Sequence, residues 1–305
     1  MGAYQHKDTP ESFWERMRMV HGPLLQARPL SLPLSEAGIQ QLYEDEGITV
    51  IEKLDSSSSH YVAHVRTADG QEALLKAVNS DQGGEYEIIT LRIWDESAFT
   101  PRVLKILAPG IHLREWVTGE QIDTLPEHGA EVAEEIGRVL RQLHLPVSPE
   151  ARQLPSILDW LNEQVPFFQQ SQHLSSTEQE IAIRILRHVN ANPGPEVVLH
   201  GDVYYRNILY NGEKLMLIDP RGKRGPAAFD IGCYVCMTPS ADPLSLLARA
   251  LRGYGESLLN ASELSLVLTL RAVERFRGEH GLSGQEQQLR YTANKLLEAG
   301  VGQRS

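Results

Sequence analysis

The stretch from Val198 to Asp230, VLHGDVYYRNILYNGEKLMLIDPRGKRGPAAFD, concentrates carboxylates and a carboxamide at short, regular spacing. An apolar run (Val197, Val198, Leu199) ends in His200, Gly201 and Asp202, and Asn207 follows. A second apolar run, Leu215 to Ile218, ends in Asp219 and Pro220. The pattern predicts two short strands, each delivering a carboxylate at its end. Transfer of a γ-phosphoryl group is mainly positioning and charge neutralisation. It needs one carboxylate near an acceptor hydroxyl and further oxygen ligands holding magnesium on the phosphates. Asp202 suits the first role, and Asn207 with Asp219 the second.

Taken singly, these residues have plainer readings. Asp202 and Asn207 could cap a helix or turn, and Asp219-Pro220 is an ordinary turn opener. Their order and their places at strand ends favour the chemical reading. Protein kinases carry H-R-D-x-x-x-x-N with a later metal-holding Asp; here Gly201 stands in the Arg position. No G-x-x-x-x-G-K-[ST] string occurs, which excludes a P-loop kinase.

HGDVYYRN followed by LIDPRG and then FD resembles the aminoglycoside phosphotransferases. Within them it is most similar to the branch of streptomycin 6-phosphotransferases and hydroxyurea phosphotransferases, and more weakly so from about Leu34 to the last helix. The resemblance implies an α+β, bilobal, protein-kinase-like fold, with a small antiparallel-sheet N-lobe and a larger, mainly helical C-lobe. It implies ATP or GTP with Mg2+, Asp202 as the catalytic residue, and Asn207 and Asp219 as metal ligands. It also gives Asp230 a structural duty, tying the catalytic loop together.

The elements that position these groups follow from pattern. Residues 1–34 read as an N-terminal extension with a short helical pattern around Phe13, Trp14, Met17 and Val20. Residues 35–117 read as the nucleotide-binding N-lobe and 118–305 as the C-lobe. Ile39, Leu42 and Tyr43 recur at helical spacing behind Ser35. Strands are expected at Ile48 to Lys53, His60 to Thr67 and Glu72 to Val78, with a hairpin turn at Asp69-Gly70. Further strands are expected at Arg102 to Leu107 and Gly110 to Val117.

Lys76 is the only lysine of the third strand, where a kinase places the lysine that touches the α- and β-phosphates. It needs a carboxylate to orient it. Glu85 and Glu87 are both available on the following helix, and the resemblance favours Glu85. The loop holding Ser58 and Ser59 occupies the place of a Gly-rich phosphate loop, although a serine run also reads as a linker. In LREWVTGE, Glu115, Trp116 and Val117 resemble the connector whose backbone pairs with the adenine edge, with Thr118-Gly119 as hinge.

Beyond Gly119, Val132, Ile136, Val139, Leu140 and Leu143 mark a buried helix face ending at His144, which reads as structural. More helices are expected at Pro155 to Gln170, Thr177 to Val189, Leu244 to Tyr254, Ser262 to Arg277 with Ser262 as N-cap, and Gln285 to Glu298. Asp159, Glu163, Glu274 and Glu279 are acidic candidates for an acceptor site, with a solvated helix face as the plainer reading.

Composition sets outer bounds. Apolar residues at 41% and charged residues at 23% describe a folded globular chain. A net charge of -11 disfavours nucleic acid or an anionic membrane as partner and suits a small, polar, cationic, hydroxylated substrate. Met1 to Pro10 lacks a basic-then-apolar leader pattern and no apolar run could span a bilayer, so a cytoplasmic enzyme is expected. Monomer and homodimer stay open. Cys233 and Cys236 form a C-x-x-C, a spacing also found in redox and zinc sites; the apolar DIGCYVCM context favours two buried side chains on a helix. The alternatives are a metabolite kinase of the same fold, for choline, homoserine or a sugar amine, and a nucleotide-binding pseudokinase.

Overall fold

The computed structural model describes residues 36–56, 60–78, 84–122, 129–255, 258, 260–278 and 283–302. The expected N-terminal extension and the serine pair Ser58 and Ser59 lie outside the described residues. The chain divides into two compact units, Met1–Thr118 and Gly119–Ser305.

The first unit contains helix α1 (Glu36–Glu46), strands β1 (Thr49–Ser56), β2 (His60–Arg66) and β3 (Glu72–Val78), helix α2 (Gly84–Ile93), and strands β4 (Val103–Ala108) and β5 (Ile111–Glu115). The five strands form one sheet in the order β1-β2-β3-β5-β4, with every neighbouring pair antiparallel. Between β2 and β3 the Asp69-Gly70 turn closes as expected, with Gly70 N donating to the Thr67 carbonyl at 2.9 Å.

Strand periodicity sorts the side chains of this sheet onto two faces. Ala73, Leu75 and Ala77 of β3 lie opposite Glu115, Leu113 and Ile111 of β5. With Ala63 and Val65 they form one core with Ile39, Leu42 and Tyr43 of α1. On the other face, Ile88 and Leu91 of α2 pack against Val103 and Ile106 of β4. Each such burial contributes roughly 1.5–3 kcal/mol. Lys76, paired with His112, belongs to this second face, as does Arg114, paired with Leu74. The polar side chains of the sheet centre are thus turned towards α2.

The second unit is mainly helical: α3 (Gly129–Leu143), α4 (Ile157–Gln169), α5 (Ser176–Ala191), α6 (Ala228–Met237), α7 (Pro243–Tyr254), α8 (Ala261–Gly278) and α9 (Ser283–Glu298). It also carries β6 (Glu120–Gln121), β7 (Glu196–Leu199), β8 (Ile208–Tyr210), β9 (Leu215–Leu217) and β10 (Lys223–Pro226). β10 pairs with β7, and β8 lies between β6 and β9. α3 packs on α7, α4 on α5, and α8 on both α6 and α9.

Helix α3 buries Ile136, Val139, Leu140 and Leu143 as its periodicity predicts, with Ala133 buried beside them and the expected Val132 only partly so. Its crossing with α7 has room for no side chain at two positions. A Cβ on Gly137 would lie 2.0 Å from the Ala250 carbonyl oxygen, and one on Gly253 would lie 1.8 Å from that of Glu134. Helix α5 opens with a capping box, Ser175 Oγ accepting from Glu178 N while the Glu178 carboxylate accepts from Ser175 N. Helix α8 begins at Ala261, so Ser262 lies inside its first turn and is not the expected N-cap. No helix among the described residues is long and apolar enough to cross a membrane.

Candidate active site

In the second unit the site is a loop held between two minimal sheets. β7 ends at Leu199, and His200, Gly201 and Asp202 follow in irregular backbone. Gly201 has φ 77°, the left-handed region that glycine enters without steric cost. A Cβ there would also meet Lys223 Cγ at 2.8 Å. This accounts for Gly201 where the protein-kinase pattern has Arg.

β8 and β9 form a tight hairpin. Asn211 Oδ1 accepts from the backbone N–H groups of Glu213 and Lys214, a side-chain turn typical of Asn. The hairpin register pairs Ile208 with Leu217, and Ile218 N donates to the Asn207 carbonyl at 2.9 Å. Asn207 is therefore beside the residue that precedes Asp219. Asp219 has φ 58°, an uncommon conformation for a non-glycine residue and one that clusters at functional sites.

The geometry about Asp202 is specific. Asn207 Nδ2 donates to the Asp202 carbonyl at 3.0 Å and lies 3.4 Å from its Oδ2. With Nδ2 engaged, Oδ1 is the Asn207 atom suited to a hard cation. Arg221 Nε reaches Asp202 Oδ2 at 3.1 Å. Both groups are partly solvated, so the contact orients the carboxylate more than it stabilises the fold. Among the described residues no cluster of three or more His, Cys, Asp or Glu side chains could hold a metal. A set of Asn207 and Asp219 is nonetheless a fit for magnesium, which uses few protein oxygens and completes its shell with phosphate and water.

Asp230 holds this loop from below. Its Oδ2 accepts from His200 N and its Oδ1 from Gly201 N, each at 2.8 Å. His144 Nε2 approaches the same Oδ2 at 3.0 Å, and His144 Nδ1 meets the Tyr254 hydroxyl at 3.1 Å. Asp230 is fully buried, and its acceptor capacity is used on backbone and imidazole. His200 is also fully buried; burial pushes its pKa below the usual imidazole value, and its Nε2 donates to the Ile218 carbonyl at 2.9 Å. One chain of contacts thus links α7, the residue that follows α3, α6 and the loop carrying Asp202.

In the first unit Lys76 Nζ forms an ion pair with Glu87 Oε2 at 2.7 Å, with both side chains largely buried. The partner expected from sequence was Glu85; the helix phase makes it Glu87. Glu87, Leu91 and Trp94 recur at i, i+4 and i+7 and are all buried, so Glu87 lies on the stripe facing the sheet. Glu87 Oε1 is also bonded by Arg114 Nη1 at 3.1 Å and lies 3.8 Å from His112 Nε2. Sequence reasoning missed both partners, although the alternation that places Lys76 on this face could have found them.

The connector has its own order. Glu115 N donates to the Arg102 carbonyl at 2.9 Å, and the Glu115 carboxylate receives Arg102 Nε at 2.7 Å. Trp116 stacks on His64, with centroids 3.8 Å apart and planes 8° from parallel.

Other sequence candidates have structural employment. Glu274 accepts from Ser171 Oγ at 2.6 Å, and Asp159 lies in the first turn of α4, where a carboxylate suits the helix dipole. Glu279 lies outside the described residues. Cys233 and Cys236 are free thiols on α6. Burial pushes Cys233 well above the ordinary thiol range and Cys236 up to about 12, which makes both poor nucleophiles.

Comparison with known proteins places the chain. A family model described as Phosphotransferase enzyme family matches residues 50–264. No curated protein sequence matches. Among solved structures, the macrolide 2′-phosphotransferase apoenzyme of Brachybacterium faecium is similar at TM-score 0.60 and 15% identity, covering 85% of this chain and 97% of its own. An amicoumacin kinase in complex with AMP-PNP, Ca2+ and Ami gives TM-score 0.62 at 11% identity, covering 88% and 95%. The choline kinase of Streptococcus pneumoniae gives 0.57 at 12%, covering 85% and 97%. These likenesses establish a kinase-like fold, mixed helix and sheet, with the antiparallel sheet in the N-terminal part and a mainly helical remainder. With its family model matched over most of the sequence, the chain belongs to the phosphotransferase enzyme family.

Proposed function

We propose that the protein transfers the γ-phosphoryl group of ATP, or of GTP, to a hydroxyl of a small polar substrate, an aminoglycoside such as streptomycin or else hydroxyurea. The observation that carries this reading is the loop itself: Asp202 and Asn207 are bonded to one another and fastened through Gly201 and His200 to Asp230.

Asp202 would orient the acceptor hydroxyl and accept its proton, with Arg221 holding one carboxylate oxygen. Asn207 and Asp219 would hold Mg2+. The cation, when bound, neutralises charge on the phosphates. Lys76, oriented by Glu87, would hold phosphate oxygens, Ser58 and Ser59 would cover them, and Glu115, Trp116 and Val117 would meet the adenine edge through their backbone. Because Glu115 N is already used, its contribution there would be its carbonyl oxygen. ATP analogues with a divalent metal occur in a structural neighbour of the same fold, the amicoumacin kinase with AMP-PNP and Ca2+.

The cationic acceptor is supported by the net charge of -11 and by the HGDVYYRN and IDPRG strings. A metabolite acceptor is the second reading, favoured by the likeness to a choline kinase. The cytoplasm, where ATP is available, is the proposed location. A coupled nucleotide-turnover assay with ATP, Mg2+ and a panel of streptomycin, hydroxyurea, choline, homoserine and a sugar amine tests the substrate. Stimulation by streptomycin or hydroxyurea is expected. Stimulation by choline, homoserine or the sugar amine alone would replace this reading with the metabolite kinase.

A further inference from the structure

We propose that Arg114 is a positioning residue for phosphate binding, acting through Glu87 on Lys76; this rests on the reading of Lys76 as a phosphate ligand. Arg114 is the last residue but one of β5, and its side chain is only 3% exposed. Its Nη1 meets Glu87 Oε1 at 3.1 Å, while Lys76 Nζ meets the other oxygen, Oε2, at 2.7 Å. The two cations hold opposite oxygens of one carboxylate from two adjacent strands, so neither displaces the other.

This division has physical consequences. An ammonium is a flexible point charge and fixes a carboxylate poorly, whereas a guanidinium is planar and directional. Arg114 therefore defines the plane of Glu87, and Glu87 in turn defines where the Lys76 ammonium rests. Arg114 also draws on the negative charge of Glu87, so Lys76 is less fully neutralised and keeps more of its attraction for a phosphate oxygen. A buried guanidinium is costly without such a partner, and burial makes its pairing strong. His112, fully buried with Nε2 3.8 Å from Glu87 Oε1, limits the rotation left to that carboxylate.

The test uses the full chain and calorimetric titration with two probes, Mg-ATP and adenosine. Arg114→Met keeps the bulk of the side chain and removes the cation. Mg-ATP affinity is expected to fall roughly ten- to hundredfold, by analogy with the loss when an outer-shell partner of a metal ligand is removed. Adenosine, lacking phosphates, should bind as to wild type, a split that general damage to the unit would not give. Arg114→Lys should recover part of the loss. In the Glu87→Gln background, adding Arg114→Met should cost nothing further, because Arg114 acts through that carboxylate. Removing both partners of a buried pair is also tolerated better than removing one, so this comparison decides the matter if Arg114→Met alone does not fold.

Lys76→Met is the control for the underlying reading. If Lys76→Met weakens Mg-ATP while Arg114→Met does not, the role of Arg114 is overturned and that of Lys76 stands. If Lys76→Met leaves Mg-ATP affinity unchanged, the reading of Lys76 fails and this proposal falls with it. A full further loss from Arg114→Met in the Glu87→Gln background would overturn action through Glu87.

Discussion

Replacing Asp230 tests the scaffold beneath the proposed catalytic loop. Its carboxylate accepts from His200 N, Gly201 N and His144 Nε2, all within 3.0 Å and away from solvent. Asp230→Ala leaves three buried donors without an acceptor. At ~1–3 kcal/mol each, with partial relaxation, the loss is about 5 kcal/mol. For a unit of the size of Gly119–Ser305 that corresponds to a fall in Tm of roughly 10–20 °C. Asp230→Asn keeps one oxygen. The better of its two orientations leaves that oxygen on His200 N and His144 and turns its NH2 towards Gly201 N, so one bond is lost, about 2 kcal/mol. Differential scanning calorimetry on both variants checks the order and the size, and turnover should fall in both because Gly201 precedes Asp202. An Ala variant that melts within ~2 °C of wild type, or that loses no more than the Asn variant, would refute the reasoning.

Other consequences follow from particular contacts. Gly253→Ala or Gly137→Ala would force α3 and α7 apart, and each should destabilise the second unit by at least about 1–3 kcal/mol, read as a lower urea midpoint. Burial holds folded His200 below the ordinary imidazole value of 6.5, so the unfolded chain binds more protons between the two values. The stability it contributes is complete above about 6.5 and is lost as pH falls through that window. Urea midpoints at about pH 7.5 and about pH 5 should differ less in His200→Gln than in wild type; an unchanged difference would show that His200 is not responsible.

Much of the fold could be read from local pattern because local pattern causes it. The alternation in Glu72 to Val78, the Asp69-Gly70 turn and the apolar stripe of α3 each act within a few residues, and each appears where it was expected. The family follows from HGDVYYRN and IDPRG, strings whose spacing reflects two short strands ending side by side.

What escaped the sequence depended on phase or on distant backbone. Glu85 and Glu87 are two residues apart on one helix, about 200° around its axis. Only the phase of α2 decides which faces the sheet. Arg114 was given no role of its own within LREWVTGE; its register with Leu74 turns it towards Glu87. β8 and β10 are three and four residues long, too short for any periodicity to show. The donors to Asp230 include two backbone N–H groups some thirty residues earlier, and no residue type announces a backbone donor.

The central claim is phosphoryl transfer at Asp202 with Asp219 as a metal ligand, and the most direct measurement separates binding from chemistry at these two residues. Wild type, Asp202→Ala and Asp219→Ala would each be titrated with Mg-ATP and then assayed for transfer of the γ-phosphoryl group to the acceptor that stimulates wild type. Asp202→Ala should bind Mg-ATP as wild type does and lose turnover by about two orders of magnitude or more. Asp219→Ala should lose turnover together with the magnesium dependence of ATP binding. A folded Asp202→Ala protein with near-wild-type turnover would contradict the account.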